Sequence, residues 1–422
     1  MKFLLPLLCV LLLAAPGAVR AQEGQQNPQD EIITDFGIDE FLAIPKYTLT
    51  LGVRSLSGAK VSFSGKGFVS SFQPFDKDLT TPVTPNVTRL YHDGTVQADA
   101  GGATFDYYAQ DGVTVIHYGP GPVTPAGYTN TWSFVDPRQL RSDGNIDFHS
   151  YTADISNSGV IPRDPASGQG FELSLARDMG QLTKKLDWKL VAGFALNDIK
   201  SSTTANLSAS VTTITDTYLL NLGTFGLPST PYTAPHYVTV PRVDSAGVAV
   251  LDTLGYQFID YVDQTALLGN LPLGRTVTTS TGVVTDHWVL KGAYFTFRLG
   301  PSLTFMFTEK LKATVSVGVA LIYAGTSYLV EQTYVPDTAD PIVSSAHEEE
   351  GKLLTGYYFD ATLQYDFTER AGLYAGVVYE AGGSYTETAV LNDIYTGSHA
   401  SYKTAIDLSR LQGFRMGMTF RF

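Results

Sequence analysis

The last nine residues, Phe414-Arg-Met-Gly-Met-Thr-Phe-Arg-Phe422, alternate apolar and polar side chains without a fault. Phe414, Met416, Met418, Phe420 and Phe422 fall on one face of a strand, and Arg415, Gly417, Thr419 and Arg421 on the other. In a water-soluble sheet the apolar face needs a second layer, yet a face with two arginines is a poor core. A strand with lipid on one side and a polar lumen on the other fits both faces.

The same period recurs through the carboxy-terminal third. Ala293, Phe295, Phe297, Leu299, Leu303, Phe305 and Phe307 oppose Tyr294, Thr296, Arg298, Ser302 and Thr304, and after Glu309-Lys310 the run from Leu311 to Tyr323 alternates again. Phe307-Thr-Glu-Lys310 is echoed by Phe367-Thr-Glu-Arg370, each between two alternating runs. Earlier, Phe171 to Leu175 and Leu186 to Leu196 form a hairpin, and Lys46 to Ser70 reads as one long or two short strands. These runs exceed the 9–11 residues of a tilted membrane strand. Tight turns on one side and long connections such as Val335 to Lys352 on the other are a barrel signature.

Residues 71–130 and 221–284 lose the alternation and fill with Pro, Thr, Gly and Asp, which predicts long external loops or a plug. Any extra strand pair in the second region is expected within His236 to Phe258, and Ser/Thr-rich residues 203–220 continue the sheet. Counting back from the C-terminus gives an all-β antiparallel transmembrane barrel of about ten strands, with 8–12 allowed.

The N-terminus reads as a secretory signal over residues 1–21, cut after Ala21, followed by a polar lead-in over 22–45. The domain reading is therefore signal 1–21, lead-in 22–45 and barrel 46–422. The single cysteine, Cys9, lies inside the signal, so Cys-based metal, redox or nucleophile chemistry is excluded. Loss of Lys2 and Arg20 takes the net charge from −13 to −15, which argues against nucleic-acid binding. No later apolar run is long enough for a membrane helix.

A signal peptide, alternating strands and a terminal Phe422 together resemble the outer-membrane β-barrel proteins of Gram-negative bacteria. The resemblance implies a cell outer membrane location, surrounding lipid and lipopolysaccharide, insertion by the barrel-assembly machinery through the last strand with Phe422 as its signal, and a monomer. It also implies that the Glu309-Lys310 and Glu369-Arg370 turns face the periplasm. No cofactor, metal or nucleic acid is expected.

The inward set is where chemistry is sought. Its candidate lumen-lining residues are Glu172, Lys189, Arg298, Lys312, Asp360, Asp366, Glu380, Arg415 and Arg421, with Asp187 beside them. A porin-like channel for small solutes or ions with a narrow charged lumen is the first functional expectation. A non-conducting structural or surface-interaction barrel acting through its loops is the alternative, because charges of both signs can pair and fill a small lumen. A rim hydrolase is the remote third reading, on Asp286-His287, His149, His399 and Asp393; the expectation is that the chain is not an enzyme. Phe148-His149-Ser150 is no dyad, since neighbours in a strand face opposite ways. His347-Glu348-Glu349-Glu350 reads as a solvated charge run before a cation site.

Overall fold

The computed structural model describes residues 46–99, 106–108, 115–117, 124–165, 167–223, 226–251, 255, 259–337, 339–392 and 399–422. Residues 1–45, read from the sequence as a signal and lead-in, and Asp393 lie outside the described residues. Twelve strands carry the architecture: β1 (Tyr47–Ser57), β2 (Lys60–Ser70), β3 (Asn145–Ile155), β4 (Gly168–Thr183), β5 (Leu186–Asn221) and β6 (Leu267–Met306). The rest are β7 (Leu311–Tyr334), β8 (Ile342–Asp366), β9 (Ala371–Ala381), β10 (Ser384–Asn392), β11 (His399–Asp407) and β12 (Leu411–Arg421). No described helix is long or apolar enough to cross a membrane.

Antiparallel pairing runs from β1 to β4, β5, β6, β7, β8, β9 and β12, and β12 pairs with β1 again. Eight strands thus form a ring in which each has two hydrogen-bonded neighbours, which removes the exposed sheet edge. The expectation is about ten strands with 8–12 allowed, and eight form the ring among the described residues. β2, read together with β1 as one long or two short strands, leaves the ring, as do β10 and β11. Lys46, the Lys184-Lys185 turn, the 307–310 and 367–370 turns and Phe422 all gather at one end.

The ring wears an apolar belt. Val53, Phe171, Leu299, Val317, Phe359, Leu373 and Met416 all point outward and are roughly half exposed. Aromatic rows bound it. At the turn end Tyr47 stacks on Phe422 at 6.0 Å and Phe305 lies 5.1 Å from Phe307; higher up Phe194 meets Phe171, Phe295 and Phe297 at 5.3–6.4 Å. The rows are about ten residues apart along β6, roughly 25 Å after a tilt of about 40°, which matches the height of a lipid-facing band.

β5 and β6 have 36 and 40 residues, a contour of roughly 120 to 130 Å that far overshoots the belt. Above it the two faces exchange character. Outward positions on β5 become Ser202, Thr204, Asn206, Ser208 and Ser210, all exposed except at their pairing atoms, while β8 presents Ser345, His347 and Glu349. Inward positions become Trp288, Leu290, Tyr328 and Val330, all fully buried.

Two ring strands turn inward at this level. β1 turns into β2 at Gly58, whose φ of 94° is the left-handed region that favours glycine, and whose missing Cβ makes room for the Arg410 carbonyl. β9 turns into β10 at Gly382-Gly383; a Cβ on Gly382 would stand 2.8 Å from Ile322 Cδ1 of β7. β10, β11, β2, β3 and β5 then pair in that order, and their inner residues Val61, Phe63, Tyr385, Ala389, Tyr402 and Ile406 pack against Trp288, Ile322, Tyr328 and Val330 of β6 and β7. The upper half is therefore a sheet-on-sheet sandwich with its own core.

The two long loops share one small structure. Arg89–Tyr91, Gly94–Val96, Trp132–Phe134 and Tyr232–Thr233 form a four-stranded sheet, with Trp132, Phe134, Phe148, Tyr218 and Leu268 in its core. Two parts of the loop reading are corrected: residues 267–284 belong to β6 and 342–352 to β8, because runs such as Thr276-Val-Thr-Thr-Ser280 lack an apolar face. The extra pair exists, as Tyr237–Pro241 with Ile259–Asp263, its second strand beyond the expected window.

Candidate functional site

Within the belt the lumen closes on itself. β1, β4, β6, β8, β9 and β12 each send one charged residue inward at the same level: Arg54, Glu172, Arg298, Asp360, Glu380 and Arg415. All six are buried, and the three arginines balance the three carboxylates. Arg54 donates from Nη1 and Nη2 to the two oxygens of Glu380 at 2.6 and 3.2 Å, and its Nε donates to Asn197. Arg415 pairs with Glu172 at 2.7 Å and Asp360 at 2.9 Å; Arg298 pairs with Glu172 at 3.1 Å and Asp360 at 3.6 Å. Tyr374 donates its hydroxyl to Glu172 at 2.6 Å, and the arginine planes lie over rings, Arg298 on Tyr358 and Arg415 on Tyr374.

A second group sits at the turn end. Asp366 accepts Arg421, is paired with Lys312 at 3.1 Å and takes a hydrogen bond from Gln364 at 2.7 Å. Lys189 lines the same end, half-buried, with its carbonyl near Ser302 Oγ. The structure thus places the nine sequence candidates in two groups, five in the central cluster and four toward the turns. Arg54 was missed, although its place on the polar face opposite Tyr47, Leu49, Leu51 and Val53 carried the signal. Asn197, Tyr358 and Tyr374 were missed too, because an inward Tyr on a belt strand looks like a girdle residue.

Directly above the ions lies apolar material. Leu56, Ile199, Tyr294, Ile322, Val378 and Leu411 belong to the same buried cluster as the sandwich core. Phe63, brought across by β2, stacks between Trp288 and Tyr328 with both centroids 6.0 Å away. The path along the axis is a neutralised ion cluster followed by a packed aromatic plug.

Further out, polar side chains pin the loops to the wall. Arg275 of β6 donates Nε and Nη2 to Asp216 at 2.7 Å each, and to the carbonyls of Phe75 and Asp78. Tyr91 donates to Asp216 at 2.6 Å, and burial holds its phenol well above the usual range. Asp93, fully buried, accepts the His149 backbone N–H at 2.7 Å and pairs with His149 Nδ1 at 2.5 Å. Both carboxylate oxygens are used to hold the loop on β3.

The rim candidates among the described residues are not brought together. Asp286 is buried and His287 exposed, on opposite faces of β6, while His399 is exposed and bonded to Asn392 at 2.7 Å. Asp286 faces the sandwich core, where burial pushes its carboxyl up to about 7 against the hydrogen bond from Gln332 at 2.8 Å. Gln332 in turn accepts from Tyr402 of β11. Glu387 is likewise buried, raised by burial, and accepts from Thr326. In the charge run His347 lies 3.8 Å from Glu349, and Glu350 pairs with Lys352; no group among the described residues has the arrangement of a metal site.

No family model and no curated protein sequence matches the chain. Among solved structures it is similar to the outer membrane protease OmpT of Escherichia coli, at 9% identity over 90% of this chain and 98% of that one, with a TM-score of 0.29. A FadL homologue of Pseudomonas aeruginosa is similar at 11% identity over 89% and 90% of the two chains, with a TM-score of 0.15. A deletion mutant of the TodX monoaromatic hydrocarbon channel aligns at 8% identity over 90% and 91%, with a TM-score of 0.13. Likeness at these scores carries no argument. The closed antiparallel ring, its apolar belt and its one-sided tight turns are by themselves the architecture of an outer-membrane β-barrel.

Proposed function

We propose that the chain is a non-conducting barrel of the bacterial outer membrane that anchors a water-exposed head, and that the head, with its loop cap, is the working surface. The belt sits in lipid, the tight turns and Phe422 face the periplasm, and β5–β8 lift the sandwich and cap above the outer leaflet. One observation carries the reading: the lumen is filled twice over, by the cluster of Arg54, Arg298 and Arg415 with its three acids and by the plug around Phe63.

An eight-stranded ring has an interior that side chains fill. A porin-like channel needs a continuous wetted path, and burial of both Arg54 and Phe63 works against one. The described parts of the long loops, gathered in a small sheet on the wall, are placed for contact with other molecules. Single-channel recording tests this directly. Folded protein in a planar bilayer is expected to give no stepwise conductance; regular steps from a homogeneous folded sample would return the channel to first place.

A further inference from the structure

The edge of β6 that faces away from β5 is covered at both ends and open between them. From Met306 up to Val284 it pairs with β7, the last pair being Val284 with Tyr334. At the far end Leu268 and Gly269 pair with Thr129 and Tyr128, and the Arg275 backbone N–H donates to Thr81 Oγ1 at 3.2 Å. From Thr276 to Val283 this edge has no ladder partner among the described residues, and all of these residues but Gly282 are exposed. The direction of the backbone fixes which groups the window shows. The N–H of Arg275 points to this edge and that of Met306 to the Lys185 carbonyl on the opposite side, while the ladder to β5 keeps one register between them. Odd-numbered residues therefore turn N–H and C=O outward, so Val277, Thr279, Thr281 and Val283 offer theirs to a further strand.

Open edges template pairing unless charge blunts them. β8 also lacks a ladder partner on its β9 side above Tyr357 among the described residues, and there Glu348, Glu349, Glu350 and Lys352 guard it. The β6 window holds no charge, and Arg275 beside it is paired with Asp216 and Asp76. Its sequence, Thr276-Val-Thr-Thr-Ser-Thr-Gly-Val283, matches itself when reversed about Ser280. Val277 then faces Val283 and Thr279 faces Thr281, each facing pair exchanging two hydrogen bonds. That register uses every outward residue. Val277 and Val283, 38% and 58% exposed, lie on one face, where β-branched cross-strand pairs are favourable. We propose that two copies of this chain join here, β6 to β6 and antiparallel, making one sheet from β3, β5 and β6 of each. The window begins 12 residues beyond Phe295 of the aromatic rim, roughly 40 Å of unbroken strand. Antiparallel pairing sends the two belts in opposite directions along those strands, so the copies belong to facing membranes and the contact is one between cells. This rests on the reading of the barrel as a membrane anchor, and makes a second copy the partner of the head.

The test uses the full chain in two dyed populations of phosphatidylcholine vesicles, scored for clustering by energy transfer, and in detergent, where sedimentation reads its mass. The parent is expected to cluster vesicles only when both populations carry it, and to sediment as a dimer. T279K/T281K sets like charges across the two central pairs and should abolish both effects, as should T279E/T281E. Mixing these two variants should restore both, because the facing charges are then opposite. A T279K/T281K variant that associates like the parent overturns the site, and so does a mixture that stays apart. Clustering when only one population carries the protein overturns the second copy as partner. Flotation with the vesicles reads insertion separately. Protein that floats but neither clusters nor dimerises overturns the pairing alone, and protein that dimerises in detergent but does not float overturns the anchor reading alone.

Discussion

The lower and upper halves of this molecule are built from the same strands with opposite chemistry. Along β6, Phe305, Leu303 and Leu299 face out while Arg298 and Thr296 face in; twenty residues earlier Thr285 and His287 face out while Trp288 and Val284 face in. Pleat and pairing continue unbroken between the two, so the backbone does not cause the change. The solvent does. In lipid the polar residues must turn inward and satisfy one another, and in water the apolar ones must. Where a closed tube changes solvent it must also change core, and the inward bends of β2, β10 and β11 at Gly58 and Gly382 supply the second layer that the aqueous core needs.

The contrast is broken most severely by emptying either core. Phe63→Ala removes the ring between Trp288 and Tyr328 and is expected to cost about 3–5 kcal/mol, seen as a lower urea midpoint with the belt still protease-protected. Arg54→Met should cost a similar 3–5 kcal/mol, because it leaves Glu380 buried without its bidentate partner. Adding Glu380→Gln should recover part of that loss, which a simple packing role for Arg54 would not allow.

The head should also respond to pH in a way its ion-paired counterpart does not. Asp286 sits near 7 when folded against 3.8 as a free side chain, so its ionised form is the disfavoured one in the fold. Head stability should therefore be highest below about pH 4, fall as pH rises toward 7 and level off above it, by up to about 4 kcal/mol. Asp286→Asn is expected to flatten that profile in tryptophan-monitored unfolding of a variant that keeps Trp288 and replaces Trp132 and Trp188 by Phe; an unchanged slope would remove Asp286 as its source.

Smaller effects sharpen the boundary. Val317→Arg places a charge on the belt and should cost about 2–4 kcal/mol. Thr204→Arg, on the outer face of the head, should stay within about 0.5 kcal/mol. Equal costs would mean that both faces meet the same solvent.

Much of the lower half was legible in the sequence, because lipid on one side and paired charges on the other impose a strict period of two from Phe414 to Phe422 and from Ala293 to Phe307. The upper half was not. Residues 203–220 and 267–284 are strand, but Ser and Thr on the wet face beside Ala205, Val211 or Val277 blur the alternation. Whether a strand stays in the wall or folds over it is decided by contacts distant in sequence, such as Phe63 with Trp288, so the departure of β2 from the wall was not legible in Lys46 to Ser70, and β11 carried no strand reading at all. The central ion cluster was half legible: each inward charge could be read, while its partner could not, since Arg54 and Glu380 are far apart in the chain and meet only when the ring closes.

The exchange of solvents along one set of strands is tested most directly by thiol accessibility, since Cys9 is the only native cysteine. Val317→Cys and Thr204→Cys, each in protein inserted into vesicles, would be exposed to a membrane-impermeant maleimide and to brominated lipid after labelling with a fluorophore. The account predicts rapid maleimide labelling at 204 with no quenching, and protection at 317 with strong quenching by the brominated chains. Equal labelling at the two positions would contradict it.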